Sequence, residues 1–193
     1  MAFVVPAPGE DRSLAVAFVN SLHSSRSGTV DDIAAVDGLR AWLHRQAAAP
    51  PSVVPNPEDV ARAQSLRAAV RETLTAVVEN RAPAGPALRT LSDTAAAAPG
   101  APELRWEDGA PAARWRDLGG DELDRVLAAI ARDAMAVATD ARAAALGRCE
   151  APRCVRLLLR DHNRRRWCST GCGDRVRSAR YHARHEHGGR DDR

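Results

Sequence analysis

Cys149, Cys154, Cys168 and Cys172 are the whole cysteine supply of this chain, and they stand within 24 consecutive positions. The spacing is C-x4-C, thirteen residues, then C-x3-C. Two close pairs joined by a short connection can bring four sulfurs to one tetrahedral centre, which is what a structural zinc ion requires. Pro152 bends the first pair, and Ser169, Thr170 and Gly171 suit the turn of the second. With sulfur in all four positions none is open to water or substrate, so such an ion would be structural and not catalytic. Two disulfides, a redox pair or four unrelated buried thiols are the competing readings. Neither pair has the two-residue spacing of a thioredoxin-type site, and nothing in the chain points to an oxidising compartment. His162 lies between the pairs, but four thiolates leave it no coordination place.

Arginine crowds around these sulfurs. The chain has no lysine, so all 28 basic residues are arginine. From Arg148 to Arg193 there are 13 arginines against 6 acids, a net +7, while the preceding 147 residues carry 15 basic and 19 acidic groups, a net −4. A mildly acidic body therefore bears a strongly basic tail, the pattern expected where one part of a protein meets a polyanion. A zinc ion with four thiolates has charge −2 and neutralises only part of that. Read as a helix, GDRVRSARYHARHEH places Val176, Ala179 and Ala183 on a narrow apolar stripe against the metal. Arg177, Arg180 and Arg184 form a second stripe about 100° around it, with Tyr181 alongside. Arg164, Arg165 and Arg166 add a cluster ahead of the second cysteine pair, followed by Trp167. Guanidinium groups pair with phosphate oxygens and read guanine edges, so nucleic acid is the expected partner. His182, His185 and His187 fall at or past the end of this helix.

The elements that must position these groups are mostly helical. The chain is 45% hydrophobic, largely alanine, and only 4% aromatic, which favours helices over sheets. SLAVAFVNSLHSS places Leu14, Phe18 and Leu22 on one helical face. Asp37 can cap GLRAWLHRQ, which stops before the breaker APPSVVPNP. Asn56, Pro57, Glu58 and Asp59 make a helix start, and that helix runs to about Asn80 with Val60, Leu66, Val70, Leu74 and Val77 inward. ALRTLSDTAAAA forms a shorter helix. In ELRWEDGAPAARWRD, Leu104 and Trp106, then Ala113 and Trp115, alternate with charged neighbours around a Gly- and Pro-containing turn, the pattern of a β-hairpin. Asp121 opens the longest helix, with Leu123, Leu127, Ile130, Ala134, Val137 and Ala141 inward and Gly147 as its C-cap. The fold class is mainly α (α+β). A helical domain with a small hairpin, residues 1–147, precedes a treble-clef-like zinc finger ending in a basic helix, residues 148–193.

The motif Arg165-Arg166-Trp167-Cys168-Ser169, then Cys172-Gly173 and Arg175, resembles the CGNR zinc-finger family, whose mark is C-x4-C, R-R-W-C-S and C-G-N-R before a basic helix. Asp174 stands where that family has asparagine, and favours the helix start while pairing with a nearby arginine. LAVAFVNSL is similar to the L-x-x-x-F-V-N-T pattern of the ABATE domain, and DGLRAWL to its D-L-x-x-W-L segment. The resemblance spans nearly the whole chain and implies a stress-related bacterial transcription regulator. With Arg175 added from the motif, the nucleic-acid contacts expected are Arg164, Arg165, Arg166, Arg175, Arg177, Arg180, Tyr181 and Arg184.

Double-stranded DNA is the expected partner, and one small finger offers so few contacts that a homodimer is expected with it. The body would dimerise or sense a small-molecule effector. The alternative is a small-molecule-handling body whose zinc module docks RNA or an acidic protein. An enzyme is not expected: the body has only His23 and His44, no cysteine, no Gly-rich phosphate loop and no Ser/His/Asp arrangement. The adjacent acids Asp31 and Asp32 read as a loop or cap. The N-terminus lacks a signal-peptide pattern and no run is long enough to span a bilayer, so a cytoplasmic protein is expected.

Overall fold

The computed structural model describes residues 5–25, 28–50, 52–162 and 164–188, with side chains in the last helix up to Tyr181. Helices α1 (Leu14–Val19), α2 (Val36–Arg45), α3 (Pro57–Val78), α4 (Gly85–Ala97) and α5 (Glu122–Thr139) pack around one apolar core. Three antiparallel hairpins interrupt them: β1 (Leu22–Ser24) with β2 (Thr29–Asp31), β3 (Gly100–Glu107) with β4 (Ala110–Asp117), and β5 (Leu146–Arg148) with β6 (Leu157–Leu159). Helix α6 (Thr170–Gly188) ends the described chain.

Local chemistry accounts for the helix starts. Asn56 accepts from the amides of Glu58 and Asp59 while Asp59 accepts from the amide of Asn56, a complete capping box ahead of Pro57. Asp121 caps α5 through the Asp124 amide at 2.8 Å. Ser13 caps α1, accepting from Val16 at 3.1 Å, and donates to Asp133 of α5 at 2.6 Å. Phe18 meets Trp42 edge-on with ring centroids 5.1 Å apart, joining α1 to α2 inside the core.

Five expectations need correcting. Helix α1 stops at Val19, so Leu22 lies in a strand; the side chain of Asn20 is committed elsewhere, as described below, and the chain turns out of the helix there. Asp37 sits in the first turn of α2, whose cap residue is Ala35. Helix α5 ends at Thr139 because Asp140 accepts from the Arg142 amide at 2.7 Å and starts a short 3-10 turn, Ala141–Ala145, leaving Ala141 exposed. With 18 residues α5 is shorter than α3, which has 22. Gly147 is a strand residue rather than a C-cap, and a Cβ there would stand 2.6 Å from the Arg160 guanidinium.

Strand β6 ties the two parts of the chain together. Its Leu157, Leu158 and Leu159 are all buried, but on opposite faces. Leu157 and Leu159 enter the helical core, whereas Leu158 joins Ala7, Ala151 and three of the cysteines in a second, smaller cluster. Alternation along a strand is what permits this double duty.

Candidate metal centre and basic helix

Cys149 follows β5, and its amide donates to the Arg156 carbonyl at 3.0 Å, extending the β5–β6 ladder by one rung. The chain then turns through Pro152 and Arg153, the latter in the left-handed region at φ 61°, and the Cys154 amide closes on Ala151 at 3.0 Å. Cys168 precedes α6 and Cys172 lies in its first turn; the helix begins at Thr170, earlier than the expected start at Gly173. The Ser169 hydroxyl accepts from the Cys172 amide at 3.2 Å. A knuckle inside a hairpin followed by a pair at a helix start is thus the arrangement that delivers the sulfurs.

All four cysteines are free thiols, and their sulfurs lie within 4.8 Å of one another. Cys154 and Cys168 are 3.7 Å apart, Cys168 and Cys172 3.4 Å, and Cys172 and Cys154 3.8 Å. Metal–sulfur bonds of about 2.3 Å at tetrahedral angles require sulfurs about 3.8 Å apart, so the cluster fits a zinc ion. The sulfurs also share protons: hydrogen bonds with Cys149 and Cys168 pull the Cys154 thiol down to about 3, while hydrogen bonds with Cys149 and Cys154 push Cys168 up. Cys149 accepts from the Cys168 amide at 3.3 Å, and Arg175 donates to the Cys172 sulfur at 2.9 Å. That sulfur in turn raises the pKa of Arg175. His162 is exposed and stands outside this group.

Trp167 packs on the cluster, and a Cβ on Gly173 would come within 3.1 Å of its ring. The tryptophan and glycine of the sequence motif therefore touch across the start of α6, and the small residue is what lets them. Val176 packs against the cluster as expected, but Ala179 is exposed, so the apolar stripe covers only the first turns. The side chains of His182, Ala183, Arg184, His185 and His187 lie outside the described residues. At 19 residues, α6 would be about 28 Å long at 1.5 Å per residue.

The arginines divide by position. Arg175, itself exposed, donates to the Cys172 sulfur. Arg164, Arg166, Arg177, Arg180 and Tyr181 are exposed, and Arg165 is half-buried. Arg165 pairs with Asp161 at 3.1 Å, Arg166 with Glu150, and Arg177 with Asp174 one turn earlier. These are local pairs within the finger, and exposed pairs of this kind contribute little to stability.

Sequence reading missed what anchors the finger to the body. The Asn20 side chain donates to the Leu157 carbonyl at 2.8 Å and accepts from the Leu157 amide at 2.9 Å, both buried. Arg71 of α3 donates to carbonyls on both sides of the junction, Val19 and Val155. Its burial lowers its pKa to about 10. Arg156 donates to the Val5 carbonyl at 2.8 Å, and the Leu159 amide to Pro8 at 2.8 Å. Only Asn20 carried a sequence signal, as the asparagine of FVN. The adjacent acids separate: Asp31 makes two 2.6 Å bonds to the buried Arg67, and Asp32 faces Arg45 at 3.3 Å.

Two family models match the chain. One, ABATE, described as "Putative stress-induced transcription regulator", covers residues 12–141; the other, the CGNR zinc finger, covers residues 145–185. No curated protein matches. Among the described residues, no helix is long and apolar enough to cross a membrane. The finger match and the four-sulfur geometry together make the metal a structural zinc ion.

Proposed function

For a chain that belongs to the ABATE family and carries a CGNR zinc finger, we propose a DNA-binding transcription regulator in which zinc holds α6 as the contact element. The observation that carries this reading is that Arg175 donates to a metal sulfur while Arg164, Arg166, Arg177 and Arg180 are exposed on the finger. Zinc fixes the fold of the finger and does no chemistry on a ligand. Arg175 offsets thiolate charge. Arg164, Arg165, Arg166, Arg177, Arg180 and Arg184 meet phosphates or base edges, and Tyr181 packs on sugar or base. The pairs Arg177–Asp174 and Arg166–Glu150 open to phosphate at small cost, because they are exposed.

Titration of zinc-loaded protein against duplex DNA at several salt concentrations tests this. The logarithm of the binding constant should fall with the logarithm of salt by about 0.9 per phosphate neutralised. Replacing Arg177, Arg180 and Arg184 by alanine should flatten that slope by about 2.7 with zinc content unchanged. Binding that ignores salt, or no binding at all, rejects the proposal. Stronger binding to single-stranded RNA than to duplex DNA would favour the RNA-docking alternative.

Effector sensing has one supporting observation. A cleft of about 740 Å³ opens between body and finger, with Val5, His23 and Ser24 on one side and Arg156, Ser169, Arg175 and Ser178 on the other. The Ser24, Ser169 and Ser178 hydroxyls there suit a small polar ligand. Calorimetric titration with small carboxylates and phosphates tests it, and absence of heat across the series would remove the sensing role.

A further inference from the structure

Hairpin β3–β4 has one apolar face that is left largely open among the described residues. Its register pairs Pro102 with Trp115, Leu104 with Ala113 and Trp106 with Pro111, so these six side chains share a face. The opposite face carries Glu103, Arg105, Glu107 and Arg114, which pair among themselves: Arg105 with Glu103 at 2.9 Å, and Arg114 with Glu107. An amphipathic hairpin ordinarily turns its apolar face to the core. Here Leu104 is 78% exposed, Trp106 73% and Trp115 48%. The ribbon is nonetheless well built. Asp108 and Gly109 both have positive φ, 50° and 80°, as a two-residue type I′ turn requires. At its base Trp115 lies under the Arg132 guanidinium, 4.6 Å from the ring centroid.

We infer that a second copy of this chain covers this face, so that two hairpins pack face to face about a two-fold axis. Charge supports a self-partner: the six residues are all uncharged, and the two ionisable groups at the base of their face are occupied, Asp117 by Arg125 at 3.9 Å and Arg132 by the Trp115 ring. Nothing there selects an acidic or basic partner. Area supports it as well. Tryptophan offers about 150–250 Å², so two partly exposed tryptophans, Leu104, Ala113 and the prolines Pro102 and Pro111 present roughly 600 Å² per copy. Two copies bury about 1,200 Å², the lower bound of a standard interface. An isologous contact uses the same patch twice and closes, which suits a patch this uniform. The inference stands on the hairpin alone and does not depend on nucleic-acid binding.

Light scattering on zinc-loaded protein without nucleic acid, from low to tens of micromolar, is the test. The expected mass rises to twice the 20.7 kDa of one chain. The double variant Leu104→Glu, Trp106→Glu should stay at one chain with zinc content and helical dichroism unchanged, while Arg105→Ala on the opposite face should still dimerise. Amide exchange across residues 100–117 should slow as the dimer forms, a readout that needs no variant. A single-chain mass throughout would overturn the inference and leave the face to a different protein. A dimer with unchanged exchange there, or one that survives the double substitution, would overturn it equally.

Discussion

The side-chain amide of Asn20 makes the two hydrogen bonds to Leu157 that a neighbouring strand would make, and it does so from the end of α1. Asn20→Ala would leave a buried N–H and a buried C=O unpaired, at about 1–3 kcal/mol each before relaxation. The expected loss in urea unfolding of the zinc-loaded protein is about 2–4 kcal/mol, and a change under half a kcal/mol would remove Asn20 from the junction. Asp31 makes a pH-dependent contribution. Its hydrogen bonds from Arg67 hold its pKa below the ordinary value. The stabilisation is therefore complete above the unfolded-state pKa of about 3.9 and is lost as pH falls through the folded value. Asp31→Asn should cost about 3 kcal/mol near neutrality, since it leaves Arg67 buried without its counter-charge. The gap from wild type should shrink below about pH 4; a gap independent of pH would show that the ion pair is not its source. At the metal, Cys168→Ser replaces a thiolate by a poor zinc ligand. Elemental analysis should find well under one zinc per chain.

The starts of α3 and α5 were the most legible features, because the capping signals of Asn56 and Asp121 are local; those of α2 and α6, with no side-chain cap hydrogen bond at Ala35 and a start at Thr170, were not. The Asn56 box needs only four consecutive residues, and Asn56→Ala should lower stability by about 1 kcal/mol. No loss in thermal unfolding would mean the box is idle. The β3–β4 hairpin was legible from its alternation, though that pattern usually marks burial and here does not. Strands β1, β2, β5 and β6 were not legible. Each has three residues, too few to show a period of two, and β6 is buried on both faces so that Leu157, Leu158 and Leu159 read as an undivided apolar run. The cysteine set was readable because four thiols at that spacing have few other uses. The contact of Arg175 with the Cys172 sulfur was not, since a motif gives the residue and not the partner of its side chain.

In the whole molecule, zinc and the helical core are joined through one strand. Leu158 belongs to the sulfur cluster while Leu157 and Leu159 belong to the core, with Asn20 and Arg71 fastening the same junction. Removing zinc should therefore destabilise more than the finger. Calorimetry should show one unfolding transition for the loaded protein and a lower midpoint, not merely a lost shoulder, after chelation. An unchanged midpoint for the body would mean that finger and body fold independently. The most direct test of the account as a whole joins metal, helix and partner in one titration. Fluorescence anisotropy of a labelled DNA duplex should report binding by zinc-loaded protein, loss of binding once a chelator has demonstrably removed the metal, and recovery on adding zinc back. Binding that persists undiminished in the metal-free protein would contradict it.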